Sequence, residues 1–196
     1  MKKYNDAFLY ILLRPLITLL FKFVYRPKII GESNISKSGR IILAGNHNHN
    51  MDAAFLISST KRNIHFLAKI ELFNGLKRHF FNNMGLIPVD RSKKNHKSLE
   101  MAYEYLKNDK VIGVFPEGTF GKGKILPFKL GAVKMAYETN SEIIPFAITG
   151  DFKIFSKNLK IEFGSPIKIE SNDLEKENEK LRNIVVKMVS DNNEYI

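Results

Sequence analysis

Short apolar runs alternate with amphipathic stretches along most of the chain from residue 28 onward. A short apolar run bounded by turn-forming residues is typical of a buried strand, whereas apolar positions spaced three and four apart are typical of a helix. Strands that alternate with helices predict an α/β fold with a mixed, largely parallel sheet flanked by helices. The predicted strands cover 40–44, 64–68, 86–89, 111–115, 143–148 and 159–163, and the helices between them cover 52–59, 72–82, 97–108 and 131–140.

The last part of the chain predicts a closing amphipathic helix. Ser171 and Asn172 precede an acidic stretch and are candidate N-caps. Apolar positions follow them at helical spacing and form a stripe that would pack on the core: Leu174, Leu181, Ile184, Val185 and Met188.

The start of the chain is both apolar and cationic. Residues 8–24 are dominated by Leu, Ile and Phe, and Pro15 falls in the middle of them. Because proline interrupts a helix, we expect two short helices here. Cations accompany the run and would meet anionic headgroups while the apolar side chains enter the acyl boundary: Lys2, Lys3, Arg14, Lys22 and Arg26. The pattern predicts an amphipathic membrane-surface segment over 1–27 and a second domain over 28–196.

Three other interpretations of this segment are open. A transmembrane helix requires about 20 uninterrupted apolar residues, and Arg14 and Pro15 interrupt the run. A signal peptide ends in a small-residue cleavage site, but the sequence here is Tyr25-Arg26-Pro27. A buried core helix is the third alternative, although such a helix seldom carries so many flanking cations.

Composition and charge limit the chemistry. The chain has 196 residues, of which 44% are hydrophobic and 26% charged, as in an ordinary folded domain. Its net charge of +11 favours a polyanionic partner, which is a membrane surface, a phosphorylated substrate or nucleic acid. The absence of cysteine excludes disulfides, zinc thiolate sites, iron–sulfur clusters and a thiol nucleophile.

A dense polar cluster follows the strand predicted at 40–44. In a continuous helix, His47 and Asp52 would point about 140° apart, so they can meet only across a turn. This requires His47 at the strand end and Asp52 in the first turn of the next helix, with Asn50 as a candidate N-cap. Asp52 would then fix the imidazole tautomer and leave the other ring nitrogen to take a proton from a hydroxyl. Without a protein nucleophile, a substrate hydroxyl must attack, which indicates group transfer.

Two further polar clusters follow predicted strands, where active sites of α/β sheets collect. Arg91, directly after 86–90, offers a planar guanidinium that suits a phosphate or carboxylate. After 111–115, the turn Pro116-Glu117-Gly118-Thr119 projects Glu117 as an acceptor for substrate hydroxyls. Lysines further along the chain add cations that are typical of a solvated loop.

In this order and spacing, the motifs resemble those of the lysophosphatidate (1-acyl-sn-glycerol-3-phosphate) acyltransferase family. Asn46-His47 and Asp52 match its N-H-x4-D motif, and Gly85 to Arg91 resembles its second motif. Phe115-Pro116-Glu117-Gly118-Thr119, about 70 residues after His47, matches its third motif, and 144–148 resembles its fourth. The segment from Lys69 to Phe73 resembles the part of the family in which a lysine approaches the acceptor's phosphate.

The resemblance implies a glycerolipid acyltransferase. His47 would deprotonate a hydroxyl of a lysophospholipid, most simply 1-acyl-sn-glycerol-3-phosphate, which attacks the thioester of an acyl-CoA or acyl-carrier protein and gives phosphatidate. Asp52 would orient His47, and no metal or prosthetic cofactor is required. Glu117, Gly118 and Thr119 would bind the substrate's glycerol, while Lys69 and Arg91 neutralise its phosphate. The enzyme would work at the cytoplasmic face of the membrane as a peripheral or monotopic protein.

One position departs from the family pattern. The family usually places arginine after Phe-Pro-Glu-Gly-Thr as a phosphate ligand, whereas this chain has Phe120. An aromatic ring replaces neither the charge nor the donors of a guanidinium. Either another cation takes this role, or the acceptor differs from lysophosphatidate. The candidates are Lys69, Arg91, Lys122 and Lys124.

Two alternatives compete with acyl transfer. His47, His49 and Asp52 are a two-histidine, one-carboxylate set that a metal-dependent hydrolase could use. A nucleic-acid-binding module would account for the net charge and for the basic pairs at 61–62 and 93–94, but the sequence has no stacking motif or basic recognition helix.

Overall fold

The apolar runs form one seven-stranded sheet in the computed structural model, which describes residues 8–75, 77–90, 96–121 and 123–193. The strand order is β1-β7-β6-β2-β5-β3-β4, and every neighbouring pair is parallel except β6 and β7. The predicted fold class is confirmed. The strands are β1 (Lys28–Ile30), β2 (Ile41–Gly45), β3 (Ile64–Lys69), β4 (Ile87–Val89), β5 (Val111–Val114), β6 (Glu142–Thr149) and β7 (Lys160–Phe163).

The sheet carries a hydrophobic core on each face, because successive residues of a strand point to opposite sides. Along β2, Ile41 and Leu43 join one core, and Ile42 and Ala44 join the other. The first core packs against α1 and α2, and the second against α4, α5 and α6. The helices are α1 (Phe8–Leu20), α2 (Asp52–Ser58), α3 (Lys77–Asn83), α4 (His96–Lys107), α5 (Gly131–Thr139) and α6 (Leu174–Asn193).

Two of these elements differ from the sequence prediction in extent. β1 was not predicted, because a three-residue run between Pro27 and Gly31 is too short to show a pattern. The helix predicted over 72–82 is divided into a 3₁₀ turn and α3, since Gly75 between them has a φ of +58°, which no helix contains.

The start of α6 also differs from the prediction. The carboxylate of Asp173 accepts the backbone N–H of Lys176 at 3.1 Å, so Asp173 caps the helix rather than Ser171 or Asn172. Ser171 instead accepts the N–H of Asp173. The predicted stripe does enter the core, with Leu181 and Val185 fully buried.

The N-terminal segment is one continuous helix rather than the two that were predicted. α1 contains Pro15 and continues into a π-helical turn over Phe21–Tyr25. Tyr10 and Phe21 lie on either side of the proline and are both buried in the same core, which holds the helix together across the missing hydrogen bond. The Tyr10 hydroxyl also accepts the backbone N–H of Ile64 at 3.0 Å. The segment is therefore tied to the sheet.

The outer face of this helix is apolar and exposed. Over Phe8–Tyr25 the mean hydropathy is 1.7 and only 11% of the span is buried, so by length and composition alone it could cross a membrane. The exposed side chains recur at helical spacing and form a single strip. We call it the α1 strip; its members, each 51% exposed or more, are Phe8, Ile11, Leu12, Leu16, Leu19, Leu20 and Phe23.

We expect Gly45→Ala to destabilise the fold. A Cβ on Gly45 would meet the carbonyl oxygen of Phe146 on β6 and approach its ring to 2.5 Å, so β2 and β6 would have to separate. Overpacking of this kind costs about 1–3 kcal/mol, which for a domain of this size lowers Tm by roughly 2–12 °C.

The control is Gly131→Ala in the first turn of α5, where a Cβ would contact nothing within 4 Å. It should leave Tm unchanged or raise it slightly, because alanine favours a helix. Thermal unfolding followed by circular dichroism compares the two variants; equal Tm values would contradict the close approach at Gly45.

Candidate active site

The predicted site residues follow strands that end at the same edge of the sheet. β2 and β5 are neighbours in parallel register, with Ala44 opposite Val114. His47 and Glu117 each lie three residues beyond this pair, so both leave the sheet at the same height. Lys69 ends β3, on the far side of β5, at the same edge.

Asn46 fixes the end of β2. Its side chain is 1% exposed and pairs with the backbone of Ile148 on β6, donating to the carbonyl at 2.8 Å and accepting the N–H at 2.7 Å. This reciprocal pair continues the sheet by one residue beyond Gly45. The direction in which the chain leaves the sheet at His47 is set by it.

His47 and Asp52 meet across a turn. The Nδ1 atom of His47 lies 2.9 Å from Oδ2 of Asp52, the first residue of α2. The same oxygen accepts the backbone N–H groups of Asn48 at 2.7 Å and His49 at 2.8 Å, and Asp52 is fully buried. Since an ionised carboxylate only accepts, the proton of the neutral imidazole is on Nδ1, and Nε2 has a free lone pair.

The helix cap here differs from the prediction. Met51, not Asn50, occupies the N-cap position of α2, and its side chain makes no capping hydrogen bond. The turn is held instead by Asp52, whose carboxylate binds N–H groups that precede the helix.

Two phenylalanines enclose the imidazole of His47. Phe115 stacks on it with ring centroids 4.1 Å apart, and Phe120 packs at 4.5 Å with a tilt of 53°. The side chain of His47 is 19% exposed. The aromatic packing and the Asp52 contact together restrict rotation of the ring while leaving it in reach of a substrate.

Glu117 joins two loops of the site. It is 4% exposed; Oε1 accepts the N–H of His47 and Oε2 accepts that of Leu126, both at 2.8 Å. Gly121 completes the junction by donating to the carbonyl of His47 at 2.8 Å, and a Cβ on Gly121 would lie 2.8 Å from Oε2 of Glu117. Glu117 therefore positions the backbone of His47; its predicted role as a substrate ligand stays a prediction.

The turn after Glu117 brings in a lysine that the sequence did not single out as a ligand. Gly118 has a φ of +71°, and the nearest atom to a Cβ built there would be Nζ of Lys129, at 2.9 Å. The backbone N–H of Lys129 donates to the carbonyl of Pro116 at 2.9 Å. Within the described ranges, Lys129 makes no ion pair. The sequence indicates only a lysine in the loop before the helix predicted over 131–140. Such a lysine is equally typical of a cation in a solvated loop.

The other predicted ligands that the structure describes are exposed, unlike His47 and Glu117. Lys69 and Thr119 are exposed. Lys69 is opposite Val89 in the register of β3 with β4, two strands away from β2. Arg91 and Lys122 fall outside the described residues, and Lys124 is exposed in the loop beside Gly121.

The geometry does not support a metal site on the His47, His49 and Asp52 set. His49 points its Nδ1 at the N–H of Met51, at 3.2 Å, and stacks on Phe152 at a centroid distance of 4.5 Å. Across 8–75, 77–90, 96–121 and 123–193, no group of three histidine, aspartate or glutamate side chains is placed to hold a metal ion.

Known proteins with similar sequences are acyltransferases. A 1-acyl-sn-glycerol-3-phosphate acyltransferase of Borreliella burgdorferi is 32% identical over 153 residues, which are 74% of this chain and 60% of that protein. The enzyme of the same name from Bacillus subtilis is 28% identical over 71% of this chain and 73% of its own length. The enzyme of the same name from Helicobacter pylori is 34% identical over 61% of this chain. The matched segment covers 52% of the Helicobacter protein.

The fold is also that of a solved acyltransferase. The crystal structure of PlsC, the 1-acyl-sn-glycerophosphate acyltransferase of Thermotoga maritima, superposes with a TM-score of 0.76 over 97% of this chain and 83% of the other, at 22% identity. The sequence model of the acyltransferase family matches residues 26–149, from two residues before β1 to the end of β6. That match covers more than half of the chain and includes the segments of both His47 and Glu117, so the chain belongs to the acyltransferase family.

Proposed function

We propose that this protein transfers a fatty acyl group from the thioester of an acyl-CoA or acyl-carrier protein to the free hydroxyl of 1-acyl-sn-glycerol-3-phosphate, giving phosphatidate. The observation that carries the proposal is the contact between His47 and the buried Asp52 within the segment that matches the acyltransferase family. The names of the relatives from Borreliella, Bacillus and Helicobacter support the choice of acceptor.

In the proposed reaction His47 acts first as a base and then as an acid. Nε2 takes the proton of the acceptor hydroxyl as its oxygen attacks the thioester carbonyl carbon. The tetrahedral intermediate collapses with cleavage of the C–S bond, and the imidazolium returns the proton to the thiolate. Asp52 stabilises the imidazolium between the two steps through the 2.9 Å contact to Nδ1. The products are an ester and a free thiol.

The proposal involves no metal or prosthetic cofactor, since one base with its carboxylate can carry the single proton that the transfer moves. The acceptor's glycerol would lie along Gly118 and Thr119, and Glu117 would shape this wall by holding the two loops together.

The acceptor's phosphate would be neutralised by cations at the rim of the site. Phe120 contributes no charge, and its ring covers the imidazole. We assign the phosphate to Lys69 and Arg91, as the family motifs imply, and add Lys129, whose ammonium lies against Gly118. An exposed lysine without an ion-pair partner can turn towards an anionic ligand at little cost.

The membrane supplies the acceptor and receives the product. The α1 strip would enter the acyl boundary of the bilayer, and the net charge of +11 would favour anionic headgroups. In this arrangement the protein is a peripheral or monotopic one at the cytoplasmic face of the membrane. Its positive charge would bind anionic lipids rather than nucleic acid.

Thiol release tests the proposal directly. A thiol reagent detects only the thiol that the donor releases, because the chain itself contains no cysteine. With acyl-CoA or acyl-carrier protein as donor, we expect release that depends on lysophosphatidate. Release that depends only on another lysolipid, such as lysophosphatidylglycerol, would retain the mechanism and refute the acceptor; no release with any acceptor would refute the acyltransferase proposal.

We expect His47→Ala to lower kcat by a factor of about 10²–10⁴, the usual contribution of a general base. His49→Ala is the matched control, because the His49 side chain is exposed, contacts Met51 and Phe152, and can be removed without losing the backbone N–H that binds Asp52; it should stay within about threefold of the parent. Both variants are compared by thiol release at saturating acceptor. An equal loss in the two would contradict the assignment of the base.

We expect Lys129→Met to raise KM for lysophosphatidate about tenfold, the equivalent of one charge-assisted hydrogen bond, with KM for the donor unchanged. Lys187→Met removes an exposed lysine of α6 and serves as control. A KM for lysophosphatidate that does not change in Lys129→Met would remove this residue from the phosphate site.

We expect the double substitution Leu16→Asp and Leu19→Asp to reduce partition to vesicles containing phosphatidylglycerol by at least tenfold, because it places two charges in the α1 strip. The control is Met101→Asp, at a comparably apolar exposed position of α4. Vesicle co-sedimentation measures the bound fraction, and circular dichroism verifies that both variants are folded. Unchanged sedimentation of the double variant would contradict the membrane role of the strip.

A further inference from the structure

The loop between β6 and β7 exposes two large apolar side chains. Ile154 is 59% exposed and Phe155 62% exposed, values as high as those of the α1 strip. Neither residue belongs to a core cluster. A soluble loop tip is ordinarily polar, so an Ile-Phe pair presented to the outside calls for a partner.

The loop holds these side chains outward by its own hydrogen bonds. The backbone N–H of Ser156 donates to the carbonyl of Lys153 at 3.2 Å. Its hydroxyl lies 2.9 Å from the same carbonyl and 2.6 Å from the amide oxygen of Asn158, so one proton serves these two acceptors. Phe155 and Lys157 adopt backbone φ angles of +59° and +60°, which residues other than glycine seldom adopt. The exposure of Phe155 is thus fixed by the hydrogen bonds and backbone angles of this turn.

The tip of the loop lies against the end of the N-terminal helix. The N–H of Phe155 donates to the carbonyl of Val24 at 2.9 Å, and the guanidinium of Arg26 lies 5.5 Å from the centre of the Phe155 ring. Phe23, the last member of the α1 strip, is 70% exposed beside this contact. The tip of the loop therefore lies next to the end of the α1 strip.

The charge around the tip favours an anionic bilayer as its occupant. Exposed cations flank the apolar side chains of the tip. Residues 21–26 and 151–158 contain one acidic residue, Asp151. Apolar residues ringed by lysine and arginine are the pattern of a segment that inserts at a lipid interface, with the cations at the headgroups. The cations are Arg26, Lys153 and Lys157.

The base of the loop reaches the candidate active site. Phe152 stacks on His49, two residues from His47, and packs edge-on against Phe21 and Tyr25 of the N-terminal helix. β6 is parallel to β2, so the loop also leaves the sheet at the edge where His47 lies. A membrane that receives the tip would lie next to the site.

We propose that residues 153–157 insert Ile154 and Phe155 into the interface of an anionic bilayer, as a second membrane contact beside the α1 strip that orients the His47 site towards its lipid acceptor. This inference rests on the proposed function, because it is the lipid acceptor that makes the orientation useful.

Tryptophan fluorescence tests the insertion, since the chain has no tryptophan and each variant carries one reporter. Ile154→Trp reports on the loop, Leu16→Trp on the α1 strip, and Tyr137→Trp on an exposed position of α5, on the other face of the sheet. With vesicles of phosphatidylcholine and phosphatidylglycerol whose acyl chains are brominated, we expect quenching of the first two reporters and none of the third.

The outcomes separate the loop from the helix. Quenching of Leu16→Trp without Ile154→Trp would overturn the loop inference and leave the helix contact standing. Quenching of neither would overturn both membrane contacts. Equal quenching of Tyr137→Trp would mean nonspecific adsorption and would also overturn the inference.

A second variant connects insertion to catalysis. Ile154→Asp with Phe155→Asp should reduce kcat/KM at least tenfold for lysophosphatidate embedded in vesicles, while turnover of a water-soluble short-chain lysophosphatidate without vesicles stays at the parent level. Equal loss on both acceptors would assign the residues a structural role and contradict the proposal. Failure of the parent protein on both acceptors would refute the proposed function instead.

Discussion

One carboxylate oxygen organises the candidate site. Oδ2 of Asp52 is fully buried and receives three hydrogen bonds, from the imidazole of His47 and from two backbone N–H groups of the preceding turn. A buried charge without such donors would be strongly destabilising, so the chain between β2 and α2 has little freedom to adopt another path. The same contacts that stabilise the charge also fix which nitrogen of His47 faces outward. The local fold and the proposed chemistry depend on a single acceptor.

The buried and the exposed charges of the site have separate roles. Asp52 and Glu117 are buried, and their hydrogen bonds run to the backbone and to His47. Lys69, Lys124 and Lys129 lie at the rim and are exposed. The acids thus hold the loops, whereas the lysines stay accessible to an anionic ligand. Phe120 helps to hold the imidazole by packing on it, and leaves the recognition of charge to other positions.

The sequence predicted what depends on local pattern. The apolar runs predicted β2 to β7 closely, and the five-residue spacing of His47 and Asp52 after a strand end was enough to predict their contact. Contacts between distant segments left no such pattern. Nothing in the sequence shows that Tyr10 and Phe21 anchor a helix through Pro15, or that Lys129 packs on Gly118. Both depend on how the whole sheet brings separate loops together.

The hydrogen bond between His47 and Glu117 joins residues 70 positions apart. The turn from His47 to Asp52 is local and can form as soon as β2 and α2 are in place, but its backbone is secured only when β5 has docked beside β2. In a refolding experiment the recovery of activity would therefore follow the assembly of the central sheet rather than the early formation of the turn. The delay between the two would measure the time that this long-range pairing takes.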